Sequence, residues 1–79
     1  MQTLDAVREM LGRRGMSMYA ASVATGHRAS YVQSLMRRKG GISAPVLAML
    51  GDVCGYDLAL VDRETGEAIR IDPASPGGE

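Results

Sequence analysis

Only one cysteine, Cys54, stands among the 79 residues. It has no partner for an internal disulfide, so the sequence suits a reducing compartment. Long apolar runs are also missing: none approaches the roughly 18 residues that a membrane-spanning helix takes. The opening MQTLDAVREML reads as an amphipathic pattern rather than a secretory signal. These features give the expectation of a cytoplasmic protein with no membrane partner. Histidine is as scarce as cysteine. His27 and Cys54 are far apart in the chain and no further ligands cluster with them, so no metal site is expected. No nucleophile has a histidine and an orienting acid at motif spacing, and Gly40–Gly41 lack the pattern of a phosphate-binding loop. The expectation is therefore no enzyme and no cofactor. The length allows one domain with a small core, the kind that often gains stability as a dimer.

Net charge is absent too, with nine basic and nine acidic side chains, but its distribution is uneven. Residues 1–41 carry Arg8, Arg13, Arg14, Arg28, Arg37, Arg38 and Lys39 against Asp5 and Glu9. Residues 42–79 carry Arg63 and Arg70 against seven acids. The halves, +5 and −5, cancel. One end can meet a polyanion while the other does a different job.

What is present is helical periodicity, then a change of period. Leu4, Val7 and Leu11 repeat at helical spacing, with Thr3 as a cap and Asp5 in the first turn, up to Gly12–Gly15. Ser17 caps a second helix, MYAASVAT, which Gly26 ends. Its small residues, Ala20, Ala21, Ser22 and Ala24, let another helix approach closely. A third helix is expected from Arg28 or Ala29 to about Arg38. Its core stripe is Val32, Leu35 and Met36, Tyr31 flanks it, and the GG at 40–41 stops it. Ser43 caps a fourth helix with Pro45 in its first turn and Val46, Leu47, Met49, Leu50 and Val53 as apolar positions, and Gly55 ends it. From Tyr56 the period becomes two. YDLALV and AIRI flank DRETGE and read as a β-hairpin with Gly66 in a bulged turn. Pairing Val61 with Ile69 and Ala59 with Ile71 would make one apolar face, leaving Leu58, Leu60 and Ala68 on the other. The fold class is mainly α: a four- to five-helix helix-turn-helix domain over 1–55, a hairpin over 56–72, and a disordered tail, 73–79.

The segment from Ser17 to Arg38 carries the functional argument. A capped short helix, a tight turn at Gly26 and a second helix whose apolar residues face the first make a helix-turn-helix. With GMSMYAASVATGHRASYVQSLMRRKGG followed by SAPVLAML, residues 3–56 resemble the phage repressor and Cro-type family, also called the XRE family. In that resemblance Ser22 is the small residue that packs against the turn, Gly26 the turn glycine, and Val32 and Leu35 the apolar anchors of the recognition helix. Three positions differ from the family pattern: Met18 stands for the usual phosphate-clamping glutamine, Ala21 for a leucine, and His27 for an apolar residue.

The resemblance implies sequence-specific binding to double-stranded DNA by a small dimeric transcriptional regulator of phage or prophage type, acting as a repressor. A helix in the major groove would offer Arg28, Ala29, Ser30, Gln33, Ser34 and Arg37 to base edges. Arginine suits guanine, glutamine suits adenine, and an alanine can touch a thymine methyl. Gln33 is the strongest single candidate. Ser17, Tyr19, His27, Arg38 and Lys39 are the candidate phosphate contacts, supplying affinity and register. His27 has a second reading, as packing within the turn. The hairpin residues Leu58, Leu60, Val61, Ile69 and Ile71 are assigned to dimerisation, which would set two recognition helices about 34–36 Å apart on a palindromic operator. The rival reading is an antitoxin-like or adaptor protein whose acidic C-terminal half binds a protein partner. Met18 and the neutral net charge favour the adaptor form of this rival, which keeps the fold but not the DNA function.

Overall fold

The computed structural model describes residues 1–74. Four helices come first, α1 (Thr3–Arg13), α2 (Met18–Ala24), α3 (Tyr31–Arg37) and α4 (Ala44–Val53), and an antiparallel hairpin of β1 (Leu58–Val61) and β2 (Ala68–Ile71) follows. This is the mainly α class expected, with four helices among the described residues and the hairpin after them. The core gathers Val7, Met10 and Leu11 of α1, Ala21 of α2, Tyr31, Val32 and Leu35 of α3, and Met49, Leu50 and Cys54 at α4.

Three of the helices stop by the same device. After α2, Gly26 N donates to Val23 O (3.0 Å) and His27 N to Ser22 O (3.2 Å), with Gly26 at φ +81°. These crossed bonds satisfy carbonyls that the helix end leaves unpaired, and the left-handed φ they require is nearly free only for glycine. Gly15 and Gly55 close α1 and α4 in the same way. The α4 closure also folds Tyr56 back on Gly51: Tyr56 N donates to Gly51 O (2.8 Å), and a Cβ at Gly51 would lie 3.1 Å from Tyr56 O. A glycine inside a helix thus has a packing reason here.

The helix starts correct several expectations. At α1 the cap position is Gln2, without a side-chain bond, and Thr3 is already helical. Ser17 caps α2 as expected, its Oγ accepting from Ala20 N at 3.0 Å. Ser17→Ala should lower the unfolding free energy by about 1 kcal/mol, measured by urea denaturation. Ser43 holds the cap position of α4 but makes no side-chain cap bond. α3 begins at Tyr31, not at Arg28 or Ala29, because Arg28–Tyr31 forms a turn closed by Tyr31 N donating to Arg28 O (3.0 Å). Tyr31 does not flank the stripe but belongs to the buried core, while Met36 is only half-buried.

The hairpin register also differs. Leu58 pairs with Ile71, Ala59 with Arg70, Leu60 with Ile69 and Val61 with Ala68. One face therefore holds Leu58, Leu60, Ile69 and Ile71, and the other Ala59, Val61, Ala68 and Arg70. The turn sets this register. Asp62 N donates to Glu67 O (2.8 Å), Gly66 N donates to Asp62 O (2.8 Å), and Asp62 Oδ1 accepts from Glu64 N (2.8 Å). Four residues, 63–66, thus close the loop, and shifting the pairing by one residue exchanges the faces. Leu58 and Ile71 are half-buried at the hairpin base, beside α4. Ala74, expected within a disordered tail, is instead tied down: its N donates to Pro45 O (2.9 Å) and its side chain packs on the core. The rest of that tail, 75–79, lies outside the described residues.

Candidate nucleic-acid interface

Ser22 joins the two helices of the motif. Its Oγ donates to Met18 O (2.7 Å) and accepts from Val32 N (2.9 Å). Ser30, the residue at the cap position of α3, makes no side-chain cap bond. Val32 is the second residue of α3, so its N–H is one of those that a capping oxygen ordinarily serves. Ser22 therefore caps α3 from the preceding helix. Its own carbonyl accepts from the Thr25 hydroxyl (2.7 Å) as well as from His27 N. Ser22 and Thr25 are both fully buried. Sequence reasoning found Ser22 as a small residue but missed these bonds. The available signal was a serine among Ala20, Ala21 and Ala24.

His27 is built into the same turn. Since the Thr25 hydroxyl proton goes to Ser22 O, Thr25 Oγ1 accepts from His27 Nδ1 (3.1 Å), which assigns the ring proton to Nδ1. The ring stacks on Tyr31 with centroids 3.7 Å apart and planes 7° from parallel. Nε2 is buried and has no hydrogen-bond partner among the described residues. Nδ1 is thus engaged by Thr25 and Nε2 is shielded from solvent.

The fate of the basic side chains narrows the candidate surface. Arg8 pairs with Asp5 (3.5 Å) and Arg13 with Glu9 (2.9 Å), and Glu9 pushes the Arg13 pKa further up. Arg14 is structural: its Nε donates to Cys54 O (2.7 Å) and its guanidinium lies 4.7 Å from the Tyr56 ring centroid, tying the end of α1 to that of α4. Of the seven basic residues in 1–41, Arg28, Arg37, Arg38 and Lys39 are left. All four are exposed, and none has an ion pair or side-chain hydrogen bond among the described residues. The sequence explains why: from residue 10 to residue 51 there is no Asp or Glu. That gap was legible and is a sharper signal than the sum over the basic half.

At about 100° per residue, Gln33, Ser34 and Arg37 project away from the Val32–Leu35 side of α3. Arg37 is exposed. Gln33 and Ser34 are half-buried, and Gln33 Oε1 is shielded from solvent with no hydrogen-bond partner among the described residues. Arg28, Ala29 and Ser30 are exposed in the turn before α3 rather than on the helix. Arg38 and Lys39 line a cleft with Gly40, Gly41 and Ser43 at the start of α4. Ser17 and Tyr19 are exposed at the start of α2, the Ser17 oxygen already occupied by its cap bond.

Burial pushes the Cys54 thiol pKa up, and its sulfur lies 4.0 Å from that of Met16, the setting of an inert buried thiol. Among the described residues no group of three His, Cys, Asp or Glu side chains is placed to hold a metal ion, and no helix is long and apolar enough to cross a membrane. No protein-family model, curated protein or solved structure matches this chain.

Proposed function

We propose that the chain is a sequence-specific double-stranded DNA-binding protein of the phage repressor and Cro type, acting in the cytoplasm as a regulator of transcription rather than as an enzyme. The observation that carries this reading is the set of four exposed, unpaired cations, Arg28, Arg37, Arg38 and Lys39, around a helix held by the Ser22 bonds. Unpaired cations on an acid-free surface suit a phosphate backbone. In this reading α3 enters the major groove with Gln33, Ser34 and Arg37 toward base edges. Arg28, Ala29 and Ser30 reach the groove from the turn, and Arg38, Lys39, Ser17 and Tyr19 meet phosphates. Repression would follow from occupying an operator and blocking polymerase.

The salt dependence of binding tests it. The double variant Arg38→Ala/Lys39→Ala should weaken binding to specific and random duplexes alike. It should also flatten the slope of log K against log salt by up to about 2, because each phosphate contact contributes roughly 0.9. Fluorescence anisotropy titrations at several salt concentrations measure both quantities. A wild-type chain that binds no duplex at low salt would defeat the reading, and an unchanged slope in the variant would remove Arg38 and Lys39 from the interface.

A further inference from the structure

A groove of about 300 Å³ lies between α1, α4 and the entry to β1. Val7 and Met10 of α1 and Leu47 of α4 make its apolar walls, and Tyr56 to Leu58 close one end. That end is tied down. Tyr56 N donates to Gly51 O (2.8 Å), and the Arg14 guanidinium, itself bonded to Cys54 O, lies 4.7 Å from the Tyr56 ring centroid. Met1 also borders the groove but is 88% exposed and does not fill it. The space is thus formed before anything enters it, as small-molecule sites ordinarily are.

The side-chain charges around the groove are already matched. Glu9 pairs with Arg13 at 2.9 Å and Asp57 with Arg70 at 3.0 Å. A charged ligand would break one of these pairs or lie unmatched beside apolar walls, where a lone charge is costly. A neutral ligand meets neither cost. The pairs run through Glu9 Oε2 and Asp57 Oδ1, which leaves each carboxylate a second oxygen able to accept from a neutral N–H or O–H. The same two carboxylates turn away the phosphates of a nucleic acid. Size narrows the ligand further. A cavity of about 150 Å³ takes one benzene, so a groove of about 300 Å³ takes two fused rings. The Met10 thioether in the wall favours aromatic rings over aliphatic ones.

We propose that this groove binds a neutral two-ring aromatic molecule carrying one N–H or O–H donor, the chemistry of indole. Bound there, the ligand touches α1, α4 and the entry to β1 together, and so braces the hairpin on the helical body. Among the described residues, none that lines the groove belongs to α2 or α3. The ligand therefore leaves the proposed DNA surface open, and the inference stands apart from the DNA reading.

Heteronuclear NMR titration of the intact chain with indole tests it. Saturable shifts are expected at Val7, Met10, Leu47, Tyr56 and Leu58, with a Kd below about 1 mM. 3-Methylindole, also neutral, should bind at least as well. Tryptamine and indole-3-acetate carry the same rings with a positive and a negative charge. Each should bind about tenfold more weakly than 3-methylindole, the consequence of a charge left without a partner. Ala6→Trp, at an exposed position bordering the groove, should fill the space and abolish the indole shifts, with circular dichroism unchanged. The ligand series uses the unaltered chain, so the test holds whether or not that variant folds. Indole without saturable shifts would overturn the proposal, as would either charged analogue binding as tightly as 3-methylindole. A folded Ala6→Trp that binds indole like wild type would do the same. So would movement of the same resonances on dilution of the free chain, since a second copy would then occupy the groove. None of these measurements involves DNA, so their failure is distinct from failure of the salt-slope experiment.

Discussion

Ser22→Ala is expected to lower the unfolding free energy by about 1–3 kcal/mol, the range for leaving a buried hydrogen-bonding group without its partner. The substitution removes one oxygen and opens almost no cavity, so packing alone would predict a small effect. The geometry predicts a larger one. Val32 N–H is buried and donates only to Ser22 Oγ, and that bond is the one side-chain cap on α3 among the described residues. Removing it strands a donor and uncaps a helix of seven residues, too short to persist without tertiary support. A domain of this length has a total stability of roughly 4–12 kcal/mol at 0.05–0.15 kcal/mol per residue. The loss should therefore lower Tm by several degrees in thermal unfolding followed by circular dichroism. Ala20→Gly is no substitute control, because it changes helix propensity. Ser22→Thr keeps the acceptor, and any deficit it shows measures the added methyl in a fully buried site. A Tm for Ser22→Ala equal to wild type would mean that the Val32 N–H finds another acceptor and that Ser22 is only a spacer.

The elements that periodicity and glycine could specify were legible in the sequence. Helical spacing placed Val7, Leu11, Val32, Leu35 and Leu50 in the core, and Gly15, Gly26 and Gly55 were legible as terminators because a left-handed closing residue selects glycine. The hairpin was legible as an element but not in its register. β1 and β2 carry apolar residues at both parities, so the alternation that fixes which face turns inward is missing. Only the Asp62–Glu67 closure decides it. The start of α3 was misplaced for a related reason: Arg28–Ala29–Ser30 suits a helix locally, but the N–H that must be capped is capped from α2, at a distance in sequence that local reading does not span. At the candidate site the acid-free stretch from residue 10 to residue 51 was a legible sign that Arg37, Arg38 and Lys39 stay unpaired. The commitment of Arg14 to Cys54 O and Tyr56 was not legible, since those partners come together only in the fold.

Gln33→Ala should have opposite effects on the free protein and on its proposed complex. In the free chain Gln33 Oε1 is shielded from water and has no partner among the described residues. An amide oxygen in that state costs free energy rather than supplying it. Truncation to alanine removes the cost, and alanine is also the better helix former. The variant should therefore melt at the same temperature as wild type or higher. On the preferred DNA site the outcome reverses. If Gln33 swings out to pair with an adenine, its loss should weaken specific binding by about 1–3 kcal/mol, while binding to random duplex stays nearly unchanged. The two readouts separate a base reader from a structural residue, because a residue that only supports the fold loses stability and loses both kinds of binding together. A drop in Tm with equal losses on specific and random DNA would assign Gln33 to the fold. An unchanged or raised Tm with a loss confined to the specific site is the signature of a side chain kept for what it binds, at some cost to the molecule that carries it.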